Sequence, residues 1–311
     1  MTRMLCEHYL GAKPFLYGRD LLKRMQIKDH YVDEYKVMDF LGYEVQPVHP
    51  SQYPEFAHKI GEIFDDTCAI LIPKENKVFL STSISPKRQR STLFHEAGHE
   101  ILPFHEQNAF SVQGKDIDPT THKLMEKEAF LAGTEIMYPV KHFVDDMISL
   151  ATSFDAINQL AERYNGSLEA TCIRYAMTSL NPVAVVVVKE NEFYNKPIPP
   201  QQGNVNQRFL FDVKRFVKTG PISTAPLRVQ YCTQSYLFPK FIKSGIEIES
   251  GNMIYDCWKH NQFMQGEIPA SVFGSSAKFK YFAECLPYFD RVFVLLWLAN
   301  RQTEFLKGVV L

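Results

Sequence analysis

The pentapeptide His95-Glu96-Ala97-Gly98-His99 dictates its own local structure if its polar side chains are to act together. On a helix, residues at i and i+4 project from one face about one turn apart, so the two imidazoles can share one ion. This is the HExxH pattern: His95 and His99 as metal ligands, and Glu96 as the general base that takes a proton from water attacking a peptide carbonyl. Leu93 and Phe94 before it, with Ile101 and Leu102 after it, predict a buried helix over Ser91 to Leu102 ended by Pro103. Buried His and Glu are costly without partners, and a metal with its water supplies one for all three. The competing reading makes the histidines hydrogen-bonded core residues and Glu96 a solvated charge.

A catalytic zinc takes three protein ligands and leaves one position open. Downstream the sequence offers Glu126, Glu128, Glu135, His105 and His122. The stretch Glu126 to Tyr138, closed by Pro139, reads as a second helix. Its Leu131, Ala132, Ile136 and Met137 can pack a face against the first, which makes Glu128 a reasonable third ligand. Glu135 shares a face with Glu128 and is the second choice of ligand, with a salt-bridge or capping role weighted higher for it. His105 is read as a surface histidine or a group beside the site, and His122 receives no role. Tyr138 is weighed as a hydrogen-bond donor to an oxyanion and set below a core role. Lys87, Arg88 and Arg90 are weighed as an acidic-substrate patch and set below a solvated face.

The two segments together resemble the ImmA/IrrE family of metallopeptidases. Arg90-Ser91-Thr92-Leu93-Phe94-His95-Glu96-Ala97-Gly98-His99 carries the family's basic residue and partly apolar lead into HExxH. Glu128-Ala129-Phe130-Leu131-Ala132-Gly133-Thr134-Glu135-Ile136-Met137-Tyr138-Pro139 follows its Glu-Ala-x-x-Phe-Ala-x-x-hydrophobic-hydrophobic-x-Pro helix. Ala132 and Gly133 stand where Phe and Ala are common, and Phe130 where a polar residue is common, departures that bear on packing rather than ligation. The resemblance implies a zincin-like domain, His95, His99 and Glu128 as ligands of zinc (or manganese), and endoproteolysis of a helix-turn-helix transcriptional repressor that switches on stress-response or mobile-element genes. It also extends weakly to a helix-turn-helix-like segment and, in the family's longer members, to a C-terminal GAF-like sensor domain.

The rest of the chain organises around these helices. Gly18 to Met25 and Val32 to Leu41 have helical spacing, and Tyr43 to Gln46 is extended. Cys68 to Pro73 and Lys77 to Ser81, separated by Lys74, Glu75 and Asn76, form a hairpin signal, and Pro86 punctuates the chain after it. Ser153 to Tyr164 and Ser167 to Ser179 read as a helix pair with both serines as N-caps and Asn165-Gly166 as the turn. A DNA-reading helix needs basic and amide side chains on its exposed face, and the second helix offers little beyond Arg174, so packing or substrate docking is favoured over DNA. Pro182 to Val188 and Val292 to Ala299 are buried strands, far short of the roughly 20 residues that cross a bilayer.

With 34 Lys and Arg against 35 Asp and Glu, nothing global points to a nucleic acid. Met1 to Lys13 has no apolar signal region, and the six cysteines are scattered singly with no CxxC pair, which together imply a cytoplasmic, reducing setting. At 311 residues several units are expected. The expectation is α+β: a zincin-like metallopeptidase domain over 1–150, a helix-turn-helix-like helical unit over 151–180, and an α/β GAF-like sensor or regulatory domain over 181–311. A non-catalytic regulator that binds a repressor or DNA through the same fold is the alternative. The adjacent Glu96 argues against it, since a purely structural zinc needs four protein ligands and no base.

Overall fold

The computed structural model describes residues 13–49, 68–103, 105, 119–190, 226–239 and 241–298. Cys6, the segment from Pro197 to Pro200 and the side chain of His122 lie outside the described residues. The chain separates into two compact units, one of Met1–Ser149 with Asn158–Arg174 and one of Leu150–Ile157 with Tyr175–Leu311.

The first unit opens with α1 (Lys13–Arg24) and α2 (Glu34–Phe40). Asp33 caps α2, its carboxylate accepting from the backbone N–H groups of Tyr35 and Lys36 at 3.0 Å. Strands β1 (Glu44–Val48), β2 (Ala69–Ile72) and β3 (Lys77–Ser81) form a sheet of order β1-β3-β2. The expected hairpin is β2–β3, antiparallel with Ile72 opposite Lys77. Its turn is a 3-10 turn over Pro73–Glu75 followed by Asn76 at φ 52°, a left-handed position that asparagine tolerates. β1 lies parallel to β3.

Helix α3 (Pro86–Ile101) carries the HExxH residues and begins five residues before the expected Ser91. Pro86 opens the helix instead of only punctuating the chain: proline at the first helical position gives up an N–H that has no partner there, and Ser85 caps the turn by accepting from Arg88 N at 3.4 Å. The end falls where expected, because Leu102 precedes Pro103 and takes an extended conformation, φ −94° and ψ 112°. Helix α4 (Pro119–Met137) likewise starts earlier than Glu126. It packs along α3 and α1, burying Ala129, Ala132, Ile136 and Met137. Helix α5 (Val140–Ile148) follows after Pro139.

Helices α6 (Phe154–Arg163) and α7 (Leu168–Thr178) are the expected pair. Ser153 Oγ accepts from Ala156 N and Ser167 Oγ from Ala170 N, both at 3.1 Å, and Asn165 turns the chain at φ 49°. Arg174 is completely buried and bonded to Glu135 at 2.7 Å, so this basic residue is not on an exposed face.

The second unit is built on a six-stranded sheet of order β6-β5-β4-β9-β8-β7, from β4 (Val183–Glu190), β5 (Leu227–Gln234), β6 (Glu247–Ile248), β7 (Met264–Pro269), β8 (Lys280–Tyr288) and β9 (Arg291–Trp297). All its pairings are antiparallel. The central strands β4 and β9 are the two apolar runs of the sequence. One face of them, Ala184, Val186, Val188, Val292, Val294 and Leu296, joins Ile254, Cys257 and Trp258 of α8 (Met253–His260) in the core. Val183, Val185, Val187, Phe293 and Leu295 are buried on the alternate face, which explains why these strands read as continuous apolar runs with no alternation.

Candidate metal centre

The site forms where α3 and α4 cross. Glycine at 98 and 133 lets the backbones touch: a Cβ on Gly133 would stand 2.4 Å from the Phe94 carbonyl oxygen. At this crossing His95 Nε2 and His99 Nε2 lie 3.1 Å apart, with their rings edge to face. Glu126 reaches both, its Oε2 3.2 Å from His95 Nε2 and its Oε1 3.4 Å from His99 Nε2. Two ring nitrogens that face each other at this distance cannot both present bare lone pairs unless a proton or a cation lies between them.

His95, His99 and Glu126 are thus the three ligand-type side chains that converge, with donor atoms within 4.8 Å of one another. The 3.1 Å between the two ring nitrogens suits a small divalent cation, while Glu126 meets the two rings through different oxygens. A tetrahedral site with metal–ligand distances of about 2.0–2.1 Å has donor–donor edges of about 3.3 Å. Burial would raise the Glu126 carboxyl, but hydrogen bonds and charge from His95 and His99 hold it far below the usual carboxylate range. The pair thus favours the ionised form that a cation needs.

Glu128, expected as the third ligand, is not brought to the His95–His99 pair. Its Oε2 is 3.2 Å from His105 Nε2, and His105 Nδ1 is 2.9 Å from His99 Nδ1. The reason is helical phase: Glu126, Ala129 and Gly133, at i, i+3 and i+7, share the face that meets α3, and Glu128 is rotated off it. His105 is buried rather than a surface residue, and burial lowers it below its ordinary 6.5 against the Glu128 hydrogen bond.

Glu96 is partly buried beside the pair. Burial pushes its carboxyl up to about 7, with His99 lowering it and Glu126 raising it. A carboxyl with that value exchanges protons readily near neutral pH.

The remaining candidates have structural roles. Glu135 is buried, takes Arg19 and Arg174, and accepts from Val140 N at 3.2 Å, a combined ion-pair and capping role. Tyr138 is buried in the core, sharing a hydrogen bond with Thr171 at 3.0 Å and packing on Phe143 and Tyr164. Of the basic cluster, Arg90 is buried in an ion pair with Glu34 over the ring of Tyr31, and Lys87 pairs with Glu162 at 2.6 Å. Among the described residues no helix is long and apolar enough to cross a membrane.

Residues 52–175 match the model of the IrrE N-terminal-like domain, a peptidase family (Peptidase M78). The radiation response metalloprotease IrrE of Deinococcus radiodurans is 25% identical over 114 residues, which are 37% of this chain. That alignment spans 34% of the length of the curated relative. A solved structure described as a Mycobacterium tuberculosis transcriptional regulator aligns with 91% of this chain and 93% of its own, at 10% identity and a TM-score of 0.44, a distant likeness. Residues 52–175, which include both helices of the site, are similar to the IrrE N-terminal-like domain found in metallopeptidases.

Proposed function

We propose that the chain is a metal-dependent endopeptidase in which His95, His99 and Glu126 hold one zinc-class cation and Glu96 is the general base. The observation that carries this reading is the convergence of two imidazoles and one carboxylate beside a second, half-buried carboxylate, Glu96. A zinc-class ion held there would polarise the scissile carbonyl and acidify water. Glu96 takes the proton as the water oxygen bonds to the carbonyl carbon. It then gives that proton to the departing amine as the C–N bond breaks. His95 Nε2, His99 Nε2 and Glu126 would hold the ion, with Glu126 supplying negative charge to offset it.

The substrate proposed is a helix-turn-helix transcriptional repressor in the cytoplasm, cleaved to release stress-response or mobile-element genes, with zinc (or manganese) as the metal. Support comes from the family of residues 52–175 and from the name of the Deinococcus radiodurans relative, a radiation response metalloprotease. Residues 151–180 are proposed as a helix-turn-helix-like unit that docks substrate rather than DNA, consistent with the burial of Arg174. Residues 181–311 are proposed as a GAF-like sensor or regulatory domain. Among the described residues this segment supplies none of the converging ligands.

Glu96→Gln tests the reading, because it keeps shape and hydrogen bonding and removes the proton acceptor. Incubated with a repressor encoded nearby, the variant is expected to keep its metal and to lose about 10²–10⁴-fold in cleavage rate. Equal cleavage by both proteins would remove Glu96 from the mechanism. Binding of the repressor by both without cleavage would favour a non-catalytic regulator.

A further inference from the structure

Beyond the three converging ligands, Glu128, His105 and His99 form a line of hydrogen bonds that ends on a metal-facing ring. We infer that His105 and Glu128 are positioning residues for His99, fixing its tautomer so that Nε2 offers a lone pair to the cation. This inference rests on the metal site proposed above.

Counting donors and acceptors assigns every proton in the line. A carboxylate oxygen accepts, so His105 Nε2 is the donor across 3.2 Å and carries the hydrogen. A neutral imidazole has one N–H, which leaves His105 Nδ1 as a bare acceptor. Across 2.9 Å His99 Nδ1 must therefore donate. Its Nε2 is then bare on the side of His95 Nε2 and Glu126. The opposite tautomer of His99 would aim an N–H at the cation and a lone pair at a lone pair, so it loses on both sides of the ring.

The fold builds this line deliberately. After α3 stops at Pro103, the backbone turns, His105 N donating to Leu102 O at 2.9 Å, and the His105 ring comes back against α3. Its side chain is only 3% exposed, so water competes little for either ring nitrogen. Glu128 is on α4 two residues past Glu126, and one helix thereby supplies both a carboxylate that meets the ligand pair and a carboxylate that orients one ligand from behind. His95 has no such support among the described residues, its Nδ1 being buried without a hydrogen bond. Partners of this kind, when removed, typically weaken metal binding 10–100-fold.

The test measures zinc affinity by competition with a chelator, and imidazole proton positions by ¹⁵N NMR, on the full chain. In the zinc-loaded protein His99 is expected to carry its proton on Nδ1 and His105 on Nε2. His105→Phe should bind zinc about 10–100-fold more weakly. His105→Gln, whose amide can accept from His99 and donate to Glu128, should stay close to wild type. Glu128→Leu, at a position 38% exposed and therefore tolerant of change, should weaken binding in the same direction, and Glu128→Gln less so. A His99 Nδ1 without a proton, or unchanged affinity in both His105→Phe and Glu128→Leu, overturns the positioning role and leaves the metal site standing. Complete loss of zinc in Glu128→Leu with retention in Glu126→Gln makes Glu128 a ligand and overturns it too. A wild type that takes no zinc overturns the metal site itself, and the positioning role with it.

Discussion

Gly98 on α3 meets Ala129 on α4 so closely that a Cβ on the glycine would stand 2.2 Å from the Ala129 carbonyl oxygen. The contact is backbone on side-chain position, with no flexible atom that can swing aside. It sets the distance between the helix that carries His95 and His99 and the helix that carries Glu126. The ligand geometry is therefore a consequence of small residues at the crossing as much as of the ligands themselves.

Gly98→Ala or Gly133→Ala should push the helices apart. Overpacking of this kind costs about 1–3 kcal/mol or more, and here the obstacle is a carbonyl oxygen. Urea unfolding is expected to show a lowered midpoint, and zinc binding should weaken in the protein that remains folded. Wild-type stability and affinity in both variants would contradict the close crossing.

Glu135 and Arg174 form a buried ion pair, at 1% and 0% side-chain exposure. Glu135→Leu leaves Arg174 buried without its carboxylate, a loss of roughly 3–5 kcal/mol. Arg174→Met should cost less, because Glu135 keeps Arg19 at 3.1 Å and the Val140 N–H. Denaturant midpoints of the two variants check the order, and a larger loss in Arg174→Met would reverse the account.

Asp290 in the second unit gives a pH signature. Burial alone would raise its carboxyl, but Lys189 at 2.9 Å and Arg291 hold it below its ordinary 3.8. The folded state thus binds this proton less readily than the unfolded state. Its stabilisation is complete above the ordinary value and fades as pH falls through the lowered one. Asp290→Asn is expected to lose about 1 kcal/mol near neutral pH, as for other partly exposed pairs. Thermal midpoints should converge with wild type as pH drops toward 3 and below. A constant gap from neutral to acid pH would show that the loss is not electrostatic.

Metal removal should act as ligand loss. If the ion binds only the folded first unit, free zinc at 100 times its dissociation constant adds about 2.7 kcal/mol of stability. The wild-type unfolding midpoint should rise with zinc and fall with chelator, and His99→Ala should respond to neither.

Much of the chain up to α7 was legible because its signals are local. The Pro103 stop, the Asn76 turn and the Ser153 and Ser167 caps each depend on a few adjacent residues, and each is where the chain pattern puts it. The choice between Glu126 and Glu128 was harder. Apolar residues on both sides of α4 hid its phase, and only the spacing of Glu126, Ala129 and Gly133 marks the face that meets α3. The role of His105 was not legible, since it depends on a turn after Pro103 that brings the ring back by way of Leu102. The order of the six-stranded sheet was also out of reach: β4 pairs with β9 across more than a hundred residues, and no local pattern encodes that neighbour.

The most direct test of the account is anomalous scattering at the zinc edge from crystals of the full chain grown with zinc. The account predicts a single peak within about 2.0–2.2 Å of His95 Nε2, His99 Nε2 and a Glu126 carboxylate oxygen. No peak at the crossing of α3 and α4, or one coordinated by Glu128 in place of Glu126, would contradict it.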